Sequence, residues 1–560
     1  MNYNIQTIIM VPYRLLLLAA VVLHTLHCGI AAGASGPMDV EYSWVFVDYT
    51  FPSPQHRESA VKSGRFIPEN CVILDVDVFQ DMSEQTLYYG ATGSTPNSLT
   101  KTRVFLTIPR IKPGNPASIA EIVPGNRPNS VLLAPYPNWK ANVVSEDKLN
   151  CDDTIVSVFR TKIDILGRFW IVDVGTLDQF EITARSVCPP KILIFDLKNG
   201  DKLIKMYKFP PSQVKELSLF TNIEVDIRDP KGRNTFAYIA DTTAYKLVVY
   251  DFKNDDSWVV DQAYFYPYPN KAHFKINGVN FDLMDGVIGL ALDPIIKNNR
   301  KLFFHSFAST RESWVYTSTL QNKSLFENGL IDGSGRFFVS SEVREVQSSV
   351  EVMTNNGVLI YASMDNRLVC WNSQDPFTAN KIYTVYESDE DFQFPSGMKL
   401  VNDKVWAVSC QLQNHFTTIA TDRQSVKYRV LVGRVDELIK GTGCDKRIQF
   451  DDTNDDEILV ESFEGNMLRE WRAPPEMPWS YSRISRVFEN KNRKAPGKSL
   501  VLTGNVNLHN PRKSTALSYD CRMSLTDGQP NSPNCLGKAM TTTTTTRRRN
   551  RIKNVPGPLR

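Results

Sequence analysis

Histidine is scarce in this sequence, and the sequence patterns of several common enzyme classes are missing. The chain has 7 histidines among 560 residues, with no metal-ligand spacing. No Walker loop, GxSxG turn or HExxH pair occurs. P-loop, serine-hydrolase, zincin and His-triad chemistry therefore has no sequence support. We expect no metal and no cofactor, and we interpret His305, in a strand-like run, as a satisfied core or surface histidine rather than a ligand.

The chain has no large excess of positive or negative charge, because 64 basic and 61 acidic residues leave a formal net charge of only +3. Such a balance argues against a polyanion-binding molecule, and no nucleic-acid partner is expected. Short basic clusters are a separate matter from the whole-chain balance. One of them, Arg547–Arg551, lies near the C-terminal end.

Long apolar runs are absent apart from LLLLAAVVL at residues 15–23. That run is shorter than the roughly 20 residues of a membrane span. It follows Arg14 and precedes small residues at 31–34, which is the pattern of a secretory signal peptide. We predict a signal peptide at 1–34, a secreted, extracellular protein and no membrane span after its removal; the alternative is a membrane anchor.

Nine cysteines are present, without a CxxC pair. Eight remain once Cys28 leaves with the signal peptide, and an even number in an oxidising compartment favours disulfides. Cys521 and Cys535 are close enough in sequence to close a small loop. Sequence alone does not pair the others.

What the chain has in abundance is short strand-like runs that recur. Successive runs start at residues 104, 168, 236, 301, 357 and 404, in steps of about 64, 68, 65, 56 and 47 residues. Each interval holds further strand candidates, so six units of about four strands predict an all-β, six-bladed β-propeller. The competing folds are a β-sandwich and two unrelated β domains. Tyr42–Phe51 is expected to close the ring against the last blade, and short helices are predicted at 434–440 and at Pro211–Phe220.

After residue 450 the composition changes. We separate an acidic and then proline- and aromatic-rich extension at 451–489 from a basic, Thr-rich tail at 490–560, which we predict to be mostly disordered. Its Thr run is a candidate for O-linked sugar, and Arg547–Arg551 for contact with polyanionic matrix. The alternative is a solvated tail without a partner.

Several separated motifs resemble the yellow / major royal jelly protein family of insects. They begin with VFLTIPRIKPGNPASI at Val104–Ile119 and CDDTIVSVFRTKIDILGRFWIVDVGTLD at Cys151–Asp178, followed by CPPKILIFDL at 188–197. AYIADTTAYKLVVYDF, SWVV and DGVIGLALDP lie between 237 and 294, and CWN at 370–372 and GTGC at 441–444 complete the order. The resemblance covers roughly residues 41–450, which we take as the propeller domain. It implies that Pro211–Phe220, the second helix candidate, is an excursion between strands.

The resemblance implies disulfides Cys151–Cys188 and Cys370–Cys444, and it leaves Cys71 and Cys410 as free thiols or a pair. It implies a secreted protein acting in extracellular matrix, in melanin-type pigmentation or in hardening of cuticle or eggshell, with a catechol- or indole-like ligand in the channel. Two alternatives are a dopachrome-converting enzyme and a biogenic-amine binder. Some amine-binding members carry Asn after the Ser of the VWAVS-type strand, where this chain has Cys410, which speaks against that kind of amine binding.

Propellers place functional groups on loops at one mouth of the channel, so polar residues at the ends of recurring strands are the candidates. They are Asp173, Asp241, Thr242, Thr243 and the pair Asp285 and Gly286. Carboxylates near one axis suit a cation or the ammonium group of an aromatic amine. Asp241 and Asp285 are also the candidate proton-transfer groups. The competing interpretation is that these aspartates cap turn backbone groups.

A single N-x-[ST] sequon occurs, Asn322-Lys323-Ser324, in a turn-like setting after a strand. In a secreted protein it is a candidate N-glycosylation site.

Overall fold

The fold was analysed in a computed structural model, which describes residues 37–81, 101–125, 131–144, 149–327, 334–417 and 423–446, together with strand backbone between 500 and 539. The chain divides into two compact units, 1–450 and 451–560. The predicted signal peptide lies outside the described residues. Within them, no helix is long and apolar enough to cross a membrane.

The first unit begins with strand β1 (Asp39–Trp44) and helix α1 (Pro54–Lys62). Helix α1 starts where Ser53 accepts a hydrogen bond from the backbone N–H of His56, with Pro54 at the first helical position, both favourable N-terminal signals. The remaining short α-helices share a length of a single turn: α2 (Trp139–Asn142), α3 (Thr317–Leu320) and α4 (Val435–Leu438).

Six four-stranded antiparallel sheets follow one another along the chain and are called blades 1 to 6. Blade 1 contains β2 (Asp75–Asp81), β3 (Lys101–Thr107), β4 (Ile119–Ile122) and β5 (Leu133–Pro135). Blade 2 contains β6 (Val158–Ile163), β7 (Arg168–Asp173), β10 (Lys191–Asp196) and β11 (Lys202–Lys208), with the small pair β8 (Thr176–Leu177) and β9 (Arg185–Ser186) in a loop. Blade 3 contains β12 (Phe220–Ile227), β13 (Thr235–Asp241), β14 (Lys246–Asp251) and β15 (Asp256–Asp261).

A hairpin, β16 (His273–Ile276) and β17 (Val279–Asp282), separates blades 3 and 4. Blade 4 contains β18 (Val287–Leu292), β19 (Lys301–Ser306), β20 (Ser313–Tyr316) and β21 (Phe337–Val339). Blade 5 contains β22 (Ser348–Met353), β23 (Val358–Ser363), β24 (Arg367–Asn372) and β25 (Ile382–Glu387). Blade 6 contains β26 (Pro395–Val401), β27 (Lys404–Ser409), β28 (Tyr428–Arg434) and the N-terminal β1.

The innermost strands form a closed ring. In order around the axis they are β2, β6, β12, β18, β22 and β26, each in contact with the next, and β26 contacts β2 again. Since β1 pairs with β28, the N-terminal strand supplies the outer strand of the last blade. These contacts confirm the six-bladed propeller and its N-terminal closure, although the closing strand ends at Trp44 and Tyr49 pairs instead with Leu133 of blade 1.

The recurring runs seen in the sequence are the second strands of the six blades, and their burial explains why they stand out. Every residue of β13 is buried. Ala237 and Ile239 pack toward blade 2 with Trp170, whereas Phe236 and Tyr238 pack toward blade 4. Successive side chains of a strand point to opposite faces, so a blade sandwiched between two others needs apolar residues on both. Burying each such large side chain stabilises the fold by about 1.5–3 kcal/mol.

Both disulfides implied by the family resemblance are present. Cys151 is bonded to Cys188 and Cys370 to Cys444. Of the two alternatives for Cys71 and Cys410, the structure has free, buried thiols.

The two helix predictions had different outcomes. Helix α4 lies within the predicted 434–440 and confirms it. The helix candidate at Pro211–Phe220 was wrong apart from one 3-10 turn at Pro211–Gln213. The segment connects β11 to β12, which begins at Phe220, as the family resemblance implied. Other 3-10 turns are Pro68–Asn70, Leu197–Asn199, Ala263–Phe265, Pro269–Lys271, Lys323–Leu325, Ser334–Arg336, Ala379–Lys381 and Leu412–His415.

The second unit contains described strand backbone within the predicted tail: β29 (Leu500–Asn510), β30 (Lys513–Met523), β31 (Leu525–Thr526), β32 (Gln529–Pro530) and β33 (Asn534–Ala539). Cys521 and Cys535 are directly opposite each other in the pairing of β30 with β33, and their disulfide stays a prediction. Residues 451–489, the Thr run and Arg547–Arg551 lie outside the described residues. Within the tail that we predict to be mostly disordered, the structure describes only these strands.

Candidate functional site at the channel mouth

Five of the six innermost strands share a β-bulge near their first residues. The register shifts lie between Val158 and Thr161 in β6 and at the matching places of β12, β18, β22 and β26. A bulge interrupts ladder pairing and re-aims backbone groups. Backbone carbonyls at these bulges accept hydrogen bonds from side chains of other innermost strands, as the contacts of Arg160 and Asn222 show.

Arg160, in the bulge of β6, reaches carbonyl groups of three other blades. Its Nε and Nη2 donate to the Ser396 carbonyl at 2.9 and 2.7 Å, and longer contacts of 3.4 and 3.3 Å run to the carbonyls of Thr221 and Ser349. Burial lowers the pKa of this guanidinium, while the negative charges of Asp75 and Asp285 oppose that shift. Arginine stays protonated in proteins, so a fixed positive charge sits inside the channel.

Asp285 lies just before β18, at the end of the channel where the innermost strands begin. Its backbone carbonyl accepts from the Ala308 N–H at 3.0 Å. Within the described part of the chain its carboxylate has no hydrogen-bond partner. Burial raises the pKa of Asp285 to about 6, and the positive charge of Arg160 acts in the opposite direction. An unpaired carboxyl group that titrates near neutral pH is suited to proton transfer.

A half-buried aromatic ring lies near Asp285, and an exposed ring packs against it. Tyr245 is half-buried, Tyr266 is exposed, and their ring centroids are 5.1 Å apart. The Tyr245 hydroxyl donates to the Met284 carbonyl at 3.1 Å. Burial, and secondly the charge of Asp285, raises the pKa of Tyr245. The carboxyl group therefore has a ring surface within reach that an aromatic ligand can stack on.

Gly286 makes this arrangement possible. A Cβ atom there would lie 2.5 Å from Cδ1 of Tyr245 and 2.6 Å from the Phe265 carbonyl oxygen. Its N–H donates to the Thr242 carbonyl at 3.0 Å, which ties the β13–β14 turn of blade 3 to the start of blade 4. The absence of a side chain at Gly286 thus lets the Tyr245 ring lie against the backbone next to Asp285.

A cluster of buried and half-buried phenylalanines lies at the same end of the propeller. Phe274 and Phe281 of the β16–β17 hairpin stack at 5.2 Å, and Phe274 stacks on Phe307 at 4.5 Å. Phe281 also contacts Phe394 and Phe416 from blade 6, at 6.0 and 5.2 Å. The hairpin therefore packs against residues that follow β19 of blade 4 and that flank β26 and β27 of blade 6. A cavity of about 450 Å³ lies at its tip, between Asn277 and Gly278 on one side and Asp365, Asn366 and Asp389 on the other.

The other predicted aspartates hold turns together. Asp173, fully buried, accepts from the N–H groups of Val156 and Ser157 at 2.9 and 2.8 Å and pairs with Lys191 at 2.8 Å. Asp241 accepts from Ser218 Oγ at 2.6 Å and from the Leu219 N–H at 2.8 Å. This is the capping role that competed with ligand binding in the sequence analysis.

Thr242 and Thr243 differ in their relation to the channel. The Thr242 hydroxyl donates to the Val287 carbonyl at 2.7 Å and lies 2.5 Å from the hydroxyl of Thr221, one of the residues that Arg160 contacts. The Thr243 hydroxyl bonds to the Leu217 carbonyl. The structure thus brings Thr242 into the neighbourhood of Asp285 and Arg160, and it keeps Asp173 and Asp241 in separate turns.

Two sequence-based predictions stay untested: that Cys410 speaks against amine binding, and that Asn322 is glycosylated. The Cys410 thiol donates to the Phe394 carbonyl at 3.4 Å, and burial raises its pKa to about 11, so it is a neutral thiol. Asn322 is exposed and its Oδ1 accepts from Ser324 Oγ at 2.7 Å. Its glycosylation stays a prediction.

The fold and this mouth define a six-bladed propeller with an ionisable group near one end of its central channel. The sequence model of the family described as "Major royal jelly protein" matches residues 156–444. A "Dopaminechrome tautomerase" of Drosophila melanogaster is 29% identical over 73% of this chain and 84% of that protein. "Protein yellow" of Drosophila guanche is 30% identical over 74% of this chain and 68% of that protein. The chain belongs to the yellow / major royal jelly protein family.

Among solved structures, a luciferin-regenerating enzyme is similar at a TM-score of 0.31 and 12% identity, over 64% of this chain and 90% of that chain. A likeness of that size carries no argument about function.

Proposed function

We propose that this protein binds a catechol- or indole-like quinone at the channel mouth and tautomerises it, with Asp285 as the proton-transfer group. This proposal rests mainly on the unpaired Asp285 carboxyl group, whose pKa is raised to about 6. Tyr245 lies near that group and packs against Tyr266. The similarity to a protein named Dopaminechrome tautomerase supports an aminochrome as the substrate class.

The step balances without an oxidant or reductant. Ionised Asp285 takes a proton from a ring carbon next to the fused ring junction of the aminochrome. The electron pair of that C–H bond moves through the ring to one quinone oxygen, which takes up a proton, so a quinone methide forms. Transfer of a second proton, from the neighbouring saturated carbon to the other quinone oxygen, then gives the dihydroxyindole. A base with a pKa near 6 is mostly ionised at neutral pH and returns its proton readily. The positive charge of Arg160 favours the anionic form of Asp285 and of the developing intermediate.

We place this activity outside the cell, in pigmentation or hardening of cuticle or eggshell matrix. The support is the apolar leader at residues 15–23 and the two disulfides, which form and persist in oxidising compartments. Matrix components are the partners proposed for the basic tail.

The test is a dopaminechrome decay assay with the purified full chain, followed by detection of the dihydroxyindole product. Asp285→Asn is expected to lower turnover by about 10²-fold or more, the usual contribution of a general base. The matched control is Asp282→Asn, a nearby exposed carboxylate that pairs with His273. Equal activity in wild type and Asp285→Asn would contradict the assignment of Asp285.

A second candidate is binding without turnover, because a carboxylate beside two tyrosine rings also suits an aromatic ammonium ion. Titration with dopamine and serotonin separates the two. Binding that requires Asp285, with no decay of dopaminechrome above the buffer rate, would replace the tautomerase proposal by amine binding. If neither binding nor turnover is observed, only a matrix role remains.

A further inference from the structure

A second group of ionisable side chains lies between blades 4 and 5 and has no part in the proposed reaction. His305 of β19 lies 3.2 Å from Glu312 and 3.1 Å from Glu351 of β22, measured from Nδ1 to the Oε2 atoms. Arg344 contacts the same Oε2 of Glu312. All four side chains are buried, with at most 2% of each residue exposed.

Each member of this group retains a buried polar atom without a hydrogen-bond partner among the described residues. These atoms are His305 Nε2, Glu312 Oε1, Glu351 Oε1 and Arg344 Nε. Buried polar groups in native proteins are almost always paired, so a concentration of unpaired ones in a single group calls for an additional bound species. Both unpaired carboxylate oxygens belong to side chains that already converge on His305.

Local packing restrains His305, Glu312 and Arg344. The imidazole of His305 lies against Gly289 of β18, where a Cβ atom would be 2.2 Å from its ring. The backbone of Glu312 is held by Ser340, whose N–H donates to the Glu312 carbonyl at 2.7 Å and whose Oγ accepts from the Glu312 N–H at 3.2 Å. The Arg344 guanidinium lies 5.3 Å above the Tyr361 ring and is thereby held beside Glu312. The convergence is thus a built feature of two adjacent blades.

We propose that His305, Glu312 and Glu351 form a site for a divalent transition-metal ion such as zinc. One ligand atom from each of the three side chains lies within 4.8 Å of the other two, and each carboxylate offers its unpaired Oε1 as well as the Oε2 that contacts Nδ1. Ligands about 2.1 Å from a tetrahedral zinc ion are about 3.4 Å apart, close to the two His–Glu distances seen here. One imidazole and two carboxylates are a donor set that such ions accept, with a fourth position for water.

Arg344 adjusts the charge of this site. It offsets one of the two carboxylate charges, which leaves one unit of negative charge to attract a cation. Its contact with Glu312 also resembles the outer hydrogen bonds that orient ligating carboxylates in metalloproteins. The ligands come from positions 7 and 39 residues apart on two blades, so no sequence motif reveals them, and this site departs from the expectation of no metal.

The test uses the full-length protein, dialysed first against a chelator and then against zinc. We expect one tightly held zinc ion per chain by elemental analysis after gel filtration, and visible absorption of tetrahedral type when cobalt replaces zinc. Glu312→Gln and Glu351→Gln should each weaken zinc binding by about tenfold or more. The matched control is His273→Gln, which removes a histidine–carboxylate pair of 2.9 Å on the surface.

The wild-type measurement decides the question even if a glutamine variant fails to fold. A folded wild-type chain that retains no stoichiometric zinc and gives no cobalt spectrum would overturn the proposal. So would zinc held equally by wild type and both folded glutamine variants, which would locate the ion elsewhere.

Discussion

Arg160 of blade 2 donates two hydrogen bonds to the carbonyl of Ser396 in blade 6, at 2.9 Å from Nε and 2.7 Å from Nη2. Blades 2 and 6 flank blade 1 and are not neighbours in the ring. This contact therefore bridges the inner edge of blade 1. One side chain therefore both ties innermost strands together and supplies the charge that acts on Asp285.

Replacing Arg160 by Met should lower the free energy of unfolding by about 2–4 kcal/mol, because several buried carbonyl groups lose their donor. It should also raise the pKa of Asp285, since the opposing positive charge is gone. Chemical denaturation measures the first effect. Arg311→Met, which removes a donor to the Ser340 carbonyl near the surface, is the control and should cost about 1 kcal/mol or less. A loss no larger than that of the control would contradict the role of Arg160.

Asp285→Asn should stabilise the protein at neutral pH. The folded pKa of Asp285 is about 6 and the ordinary value is 3.8, so the folded state disfavours the ionised form. The wild-type penalty is absent below the unfolded pKa, grows as pH rises and is complete above pH 6. We expect a gain of about 1–2 kcal/mol at neutral pH for this partly exposed group, shrinking toward zero in acid. Denaturation curves across this range check it, and a gain independent of pH would count against a raised pKa.

Asp173→Asn should destabilise the fold by about 3–5 kcal/mol, because it leaves the Lys191 ammonium buried without its carboxylate. Lys191 is fully buried, and its Nζ otherwise contacts only the Thr154 carbonyl among the described residues. Thermal and chemical unfolding measure the effect, with Asp282→Asn as the exposed control. A folded Asp173→Asn variant of unchanged stability but lost ligand binding would instead make Asp173 a ligand contact.

Peptide mapping under non-reducing conditions should recover linked peptides for both predicted disulfides, Cys151–Cys188 and Cys370–Cys444. The second encloses the longer loop, 74 residues, so replacing both its cysteines by Ser should cost about 4 kcal/mol on the chain-entropy account. Cys71 and Cys410 are buried and should react with alkylating reagents only after unfolding. Their rapid modification in the native protein would contradict the structure.

The architecture was largely accessible from the sequence, because second strands such as β13 and β19 are buried on both faces and therefore appear as regularly spaced apolar runs. The closing strand was anticipated, but its end was not, since the turn after Trp44 redirects Tyr49 to blade 1. At Pro211–Phe220 helix-like spacing gave way to tertiary pairing, because Phe220 starts the innermost strand of blade 3.

The site was accessible only in part. A polar residue at a strand end is visible in sequence, but only the fold shows that Asp173 and Asp241 face backbone N–H groups while Asp285 has no partner. Arg160 gave no signal, because its function depends on a bulge and on carbonyl groups of distant blades. The sequence could not show the group around His305, because its carboxylate neighbours lie on another loop and another blade.

The most direct measurement is the pH dependence of kcat/KM for dopaminechrome conversion by wild type and Asp285→Asn. If Asp285 is the base, log(kcat/KM) should rise with unit slope and level off above about pH 6, and the inflection should vanish with most of the rate in Asp285→Asn. An unchanged inflection and rate in that variant would contradict the account.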